Sequence, residues 1–147
     1  MEYHNAVEPT PEQIEAVLGG AEDGPIYMVN LLKYRDEAVY ADGRDTSLSG
    51  REAYALYGEG VLETLADVGG GVVFAGGVSG LLIGEVEELW DDVAIVMYPN
   101  RAAMLQMFSS EKYQAIHVHR EAGLAGQLNI ETRGPGPVGP SGGQVFD

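Results

Sequence analysis

Pro25-Ile26-Tyr27-Met28-Val29-Asn30-Leu31-Leu32-Lys33-Tyr34 is apolar almost throughout, yet it carries Asn30 and Lys33 inside it. A strand buried on both faces loses the usual alternation of apolar and polar residues, so the stretch reads as a buried strand. An amide in mid-strand then needs a reason, because a buried amide without partners costs about 1–3 kcal/mol. Asn30 is either locked into a structural hydrogen-bond network or lines a polar spot in a pocket.

Reading outward from this strand gives the order of elements. Upstream, Thr10-Pro11-Glu12-Gln13 opens a helix: Thr10 caps it, Pro11 suits the first helical position and Gln13 completes a capping box. Ile14, Val17 and Leu18 make one short stripe before Gly19-Gly20 stop it, as befits an appended helix that packs on the main body. Downstream, residues 36–49 are polar and turn-rich, which predicts a long exposed loop. Ser49-Gly50-Arg51-Glu52 is a second capping box, and the helix it starts runs to about Val68. Tyr54, Tyr57, Val61, Leu65 and Val68 recur at helical spacing and face the core.

Val72 to Glu85 is β-rich but interrupted by Gly76, Gly77, Gly80 and Gly84, which predicts a bent strand or two short ones. Val93 to Tyr98 is a clean buried strand, and Pro99-Asn100 leads into a helix that Ser109-Ser110 breaks and recaps. A further helix runs from Glu111 to about Ala122, and Leu124 to Thr132 is the last strand. The chain thus divides into an N-terminal helical extension (1–23), a main domain (24–132) and a Gly/Pro-rich flexible tail (133–147). The tail is expected to be disordered, or else to lie across a partner subunit.

A helix followed by β-α-β-β-α-β is an α+β chain with the ferredoxin-like arrangement, a four-stranded antiparallel sheet with helices on one face. The other sheet face is apolar and cannot stay bare. Two such sheets meeting face to face would bury it and enclose a cavity, so a homodimer, with room for higher assembly, is expected.

Composition narrows the function. At 147 residues, 45% hydrophobic and 21% charged, the chain is one globular domain able to bury a real core. The net charge of −15 repels phosphate backbones and anionic lipid, which argues against nucleic acid and membrane surfaces as partners. No apolar run is long enough to span a bilayer and no secretory signal opens the chain, so a cytoplasmic location is expected. Zero cysteines exclude disulfides, thiolate catalysis and thiolate-bound metal. The glycine clusters match neither a phosphate loop nor a dinucleotide fingerprint, and Gly77-Val78-Ser79-Gly80 is not a nucleophile elbow.

Four segments carry a family resemblance: Gly24 to Tyr34; Met97-Tyr98-Pro99-Asn100-Arg101; Ser110-Glu111-Lys112-Tyr113-Gln114; and His119-Arg120-Glu121-Ala122-Gly123-Leu124. Over about residues 24–132 the chain resembles the domain-of-unknown-function 1330 family of the dimeric α/β-barrel superfamily. The resemblance implies a ferredoxin-like subunit, dimerisation by sheet packing and no assigned reaction for most members. The wider superfamily includes cofactor-free monooxygenases, lactone isomerases, polyketide cyclases and haem enzymes, so the fold does not choose a chemistry.

The candidate site residues follow. Asn30 can hydrogen-bond a substrate carbonyl or enolate, or tie a neighbouring strand or loop. His117 and His119 lie in a helix, where two residues step by about 200° and diverge, and no carboxylate spacing completes a metal site around them. No metal or cofactor is therefore expected. His119, within the family-like segment, is the preferred general base, against a surface or capping role. Arg120 can clamp a substrate carboxylate or pair with an acid, and Lys33 can do similar work. Tyr54, Tyr57, Trp90 and Tyr98 suit an aromatic-lined pocket, or plain core. Two functions remain open. One is a cofactor-independent enzyme (isomerase, cyclase or monooxygenase type) that acts on an apolar or aromatic carbonyl compound by acid/base chemistry. The other is a non-catalytic dimeric module that binds a small molecule or a protein.

Overall fold

The computed structural model describes residues 3–20 and 24–136. The elements are α1 (Pro11–Leu18), β1 (Ile26–Tyr34), α2 (Gly50–Asp67), β2 (Gly71–Gly77), β3 (Asp92–Tyr98), α3 (Arg101–Phe108), α4 (Glu111–Gly123) and β4 (Leu124–Arg133). The four strands form one antiparallel sheet in the order β2-β3-β1-β4. With helices packed on one face, this is the ferredoxin-like fold. Among the described residues, no helix is long and apolar enough to cross a membrane.

Local chemistry sets the boundaries. Thr10, Ser49 and Ser110 each accept a hydrogen bond from the backbone N–H three residues on, and the first two complete reciprocal capping boxes. Asn100 caps α3 in the same way. Gly50 and Gly123 allow α2 and α4 to touch backbone to backbone. A Cβ on Gly50 would meet the Gly123 carbonyl at 2.7 Å, and one on Gly123 would meet the Tyr54 nitrogen at 2.9 Å. That contact sets the start of α2 against the end of α4.

The core lies between sheet and helices. Ile26 and Met28 of β1 join Tyr57, Leu65, Tyr98, Met104, Met107 and Tyr113 in one cluster, with Tyr54, Val61 and Val68 packed against it. Fully burying a side chain such as Ile26 or Leu65 contributes about 1.5–3 kcal/mol, so this layer carries most of the fold. The opposite sheet face is less covered than the unbroken apolar run of β1 implied. Val29, Leu31, Ile95 and Met97 are only half-buried, and Phe74 and Ile130 are 55% and 46% exposed.

One part departs from expectation. The β-rich stretch after Val72 forms one strand, β2, with an irregularity between Val72 and Phe74, and no second strand follows it. Residues 78–91 are a loop in which Leu82 and Ile83 are 95% and 86% exposed. The run is interrupted by Gly80 and by Gly84, whose φ of +94° is outside strand backbone, and these residues pair with no neighbouring strand. The N-terminal helix packs on the main body, and the segment before it reaches the sheet. Ala6 bridges to Gln127 on the free edge of β4, and Val17 packs on the core cluster. Of the tail, residues 137–147 lie outside the described residues.

Candidate functional site

A cavity of about 930 Å³ opens between the inner face of the sheet and helices α2, α3 and α4. Met28, Asn30 and Leu32 of β1 and Ala94 and Val96 of β3 form its floor, and the N-terminal arm (Ala6 to Val17) closes one side. It lies within a single chain, on the helix side of the sheet. The sequence reading expected a cavity enclosed between two sheets instead.

Most of the wall is apolar or aromatic. Tyr34, Tyr54 and Tyr57 follow one another with ring centroids 5.3 and 5.2 Å apart, and Tyr57, Tyr113 and Phe108 continue the series at 6.0 and 5.1 Å. Desolvation raises the phenol of Tyr54 to about 12 and pushes those of Tyr34, Tyr57, Tyr98 and Tyr113 upward. At neutral pH these tyrosines are therefore neutral hydrogen-bonding groups rather than phenolate bases.

The polar atoms gather where β1, β4, α4 and the arm meet. Asn30 Nδ2 donates to the Met28 and Ala94 carbonyls at 3.1 and 3.2 Å, and Asn30 Oδ1 accepts from Gln127 Nε2 at 2.6 Å. Gln127 Oε1 in turn accepts from Arg120 Nη2, which also donates to the Val7 carbonyl at 2.8 Å. A chain of hydrogen bonds thus runs from the centre of the sheet to the arm. Both amide hydrogens of Asn30 are spent on the main chain, so the amide that the sequence reading offered to an enolate instead holds Gln127 and, through it, Arg120.

The two helix histidines diverge as the 200° step requires. His117 faces the cavity: its Nε2 lies 2.8 Å from Glu121 Oε1 and 3.3 Å from Glu8 Oε1, and its Nδ1 lies 3.4 Å from the Tyr113 hydroxyl. His119 points to the far side of α4, where its Nδ1 shares a 2.7 Å hydrogen bond with the Tyr40 hydroxyl. It sits beside the cluster of Ala38, Tyr40, Ala53 and Ala122 that fastens the 36–49 loop, and it does not line the cavity. The preference for His119 as base is corrected by this geometry. α4 is turned so that Tyr113 and His117 face the cavity while Ala122 packs in the loop cluster.

Of the other candidates, Arg120, Tyr54, Tyr57 and Tyr98 line the cavity, whereas Lys33 and Trp90 do not. Lys33 Nζ holds Glu88 at 2.8 Å and the Leu89 carbonyl at 3.0 Å, which anchors the 78–91 loop to the end of β1. Trp90 stacks on Tyr3 with centroids 5.1 Å apart and donates to Asn5 Oδ1 at 2.9 Å. Glu8, Gln127, Tyr113 and Glu121 were missed. Polar residues alternating at 127, 129 and 131 on β4 were a usable signal for Gln127, while Glu8 is brought in by tertiary packing alone.

The fold also supplies the carboxylates that sequence spacing did not. Glu8, His117 and Glu121 bring ligand-type atoms within 4.8 Å of one another. Arg120 Nη1, 3.5 Å from Glu8 Oε1, places a fixed positive charge beside that group and disfavours a cation there.

The family model for the domain of unknown function DUF1330 matches residues 44–131, more than half of the chain. The chain belongs to the DUF1330 family. The match begins after β1, so the strand that decided the sequence reading lies outside it. The chain is also similar to the crystal structure of RPA0582, a protein of unknown function from Rhodopseudomonas palustris. It aligns at 33% identity and a TM-score of 0.81, over 91% of this chain and 100% of that one. The methylated RPA0582 protein aligns at 35% identity and a TM-score of 0.80, over 92% and 97% of the two chains. A dabb family protein with a ferredoxin-like fold from Mesorhizobium loti aligns at 11% identity and a TM-score of 0.46, over 77% and 99%. No curated protein matches this DUF1330 chain.

Proposed function

We propose that this protein binds a small, largely apolar carbonyl compound in the helix-side cavity and turns it over by acid/base chemistry, with His117 moving the proton. The observation that carries this reading is the cavity's polarity: about 930 Å³ with apolar walls and one polar end, where His117, Arg120 and Gln127 meet. Cavities of this kind hold a ligand by its apolar body and orient it by a few polar atoms.

Tyr113, His117 and Glu121 stand at four-residue spacing on one face of α4. Glu121 at 2.8 Å from Nε2 holds the imidazole in the tautomer that leaves the Nδ1 lone pair toward the cavity. In the proposed step the C–H bond next to the carbonyl breaks and its proton passes to Nδ1. The electron pair moves to the carbonyl oxygen, where Arg120 and the Tyr113 hydroxyl stabilise the enolate. Return of the proton to a different carbon gives an isomer. Attack by the enolate carbon on a second carbonyl of the same molecule opens that C=O bond, and the alkoxide formed takes the proton back from Nδ1 to give a ring.

A binding module without turnover has one observation in its favour, since both His117 nitrogens already face protein partners. The experiment is affinity-selection mass spectrometry with a pooled metabolite extract on wild type, His117→Ala and His119→Ala. We expect wild type and His119→Ala to retain and transform the same compound, and His117→Ala to retain it unchanged. Equal transformation by His117→Ala would remove the catalytic reading, and retention without transformation by all three would leave the binding module.

The protein is further proposed to pair with a second copy of itself through the outer sheet face. Half-buried Val29, Leu31, Ile95 and Met97 and exposed Phe74 and Ile130 make that face apolar, and the exposed Leu82 and Ile83 extend the chain's apolar surface.

A further inference from the structure

We propose that the ligand of the cavity carries a carboxylate, and that it binds Arg120 in the place now held by the Glu8 side chain, which it displaces. This rests on the reading of the cavity given above and names the ligand's charged group.

Four facts lead to it. Arg120 is 14% exposed and lines the cavity, so its charge is directed at whatever occupies the polar end. Its hydrogen bonds at the Val7 carbonyl and Gln127 Oε1 go to neutral oxygens, which orient the guanidinium without neutralising it. Among the described residues Glu8 is the carboxylate within ion-pair distance of it, and the contact is 3.5 Å long. Lys33, Arg51, Arg101 and Lys112 by contrast hold acids at 2.8–2.9 Å. Glu8 is itself 55% exposed and stands between Arg120 and His117, 3.3 Å from the imidazole, touching both and closing on neither.

A loosely held carboxylate on an exposed side chain contributes about 0–1 kcal/mol and returns to water at little cost. A ligand carboxylate anchored by an apolar body in the cavity can meet Arg120 Nη1, the nitrogen that now faces Glu8, at full hydrogen-bonding distance in a charge-assisted bond. Glu121 Oε1 faces His117 Nε2 at 2.8 Å and is held to the imidazole rather than to Arg120. The ligand class is thus an apolar or aromatic monocarboxylate, and the substrate is a carbonyl compound of that class.

The test is isothermal titration calorimetry, in chelator-treated low-salt buffer, of octanoate, 3-phenylpropionate and their primary amides. The full chain is used as wild type, Glu8→Gln and Arg120→Gln, with folding of each confirmed by thermal melting. The acids are expected to bind wild type more tightly than the amides. Removing the competing charge in Glu8→Gln should tighten the acids by about fivefold and leave the amides unchanged. Arg120→Gln should abolish the difference between acid and amide. If acids and amides bind alike to both wild type and Glu8→Gln, the carboxylate proposal is wrong while the cavity reading stands. If none of the four compounds binds either protein, both fall together. Because Glu8 is exposed, the Glu8→Gln arm decides the matter even if Arg120→Gln does not fold.

Discussion

Asn30 spends two hydrogens on carbonyls of β1 and β3 and its oxygen on Gln127 of β4, so its removal leaves partners on three strands unsatisfied. Asn30→Ala is therefore expected to lower stability by about 1–3 kcal/mol, read as a lower urea midpoint with an unchanged slope. An unchanged midpoint would mean that water replaces the amide. The residue was visible in the sequence as a polar intruder in an apolar strand, but its partners were not, because Gln127 and Arg120 are 97 and 90 residues away. The histidine pair makes the same point. Helical geometry required His117 and His119 to diverge, yet which of them turned inward depended on how α4 rolled against α2, a tertiary fact.

That roll is governed by the two-glycine contact between α2 and α4. A methyl group on Gly123 would press on the Gly50 carbonyl and approach the Tyr54 nitrogen to 2.9 Å, both of them backbone atoms that cannot turn aside. Gly123→Ala should thus cost about 1–3 kcal/mol by overpacking and shift the inner face of α4, with His117 and Arg120, away from Tyr54. Thermal melting checks the first effect and the His117 imidazole resonances the second. A melting temperature equal to wild type would show that the helices can part without loss. Capping boxes made the starts of α1 and α2 legible to the residue, since their chemistry is local. The stretch after β2 was less so: Val78 to Glu85 has strand-forming residues, but Gly80 and Gly84, the latter at φ +94°, interrupt them and the stretch stays a loop.

For the whole molecule, β3 separates two kinds of surface. Ala94 pairs with Asn30 on the cavity side, while Ile95 pairs with Val29 and Phe74 on the outer face. Ile95→Glu should give monomer or aggregate by size-exclusion chromatography with light scattering, and a stable dimer from this variant would refute sheet-to-sheet pairing. The buried tyrosines set an alkaline limit on the fold. Burial raises Tyr34, Tyr54, Tyr57, Tyr98 and Tyr113 above the ordinary 10.0, so above that pH the unfolded chain sheds protons that the folded chain retains. Stability is complete below pH 10 and declines as pH rises toward 12, the value reached by Tyr54. Tyrosinate absorbance and far-ultraviolet circular dichroism should change together over that range. Ionisation of all five near 10 with the dichroism intact would contradict their burial.

The protein also contains a lamp wired to its own door. Trp90 is the chain's single tryptophan, and it touches Tyr3 and Asn5, which lead into the arm a few residues before Glu8. All indole emission therefore comes from one spot beside the arm. Ligand entry that moves only the Glu8 side chain would leave that emission constant, whereas entry that peels the arm from β4 would strip the indole of its stacking partner and shift its colour. No label is needed to tell a swinging side chain from an opening segment.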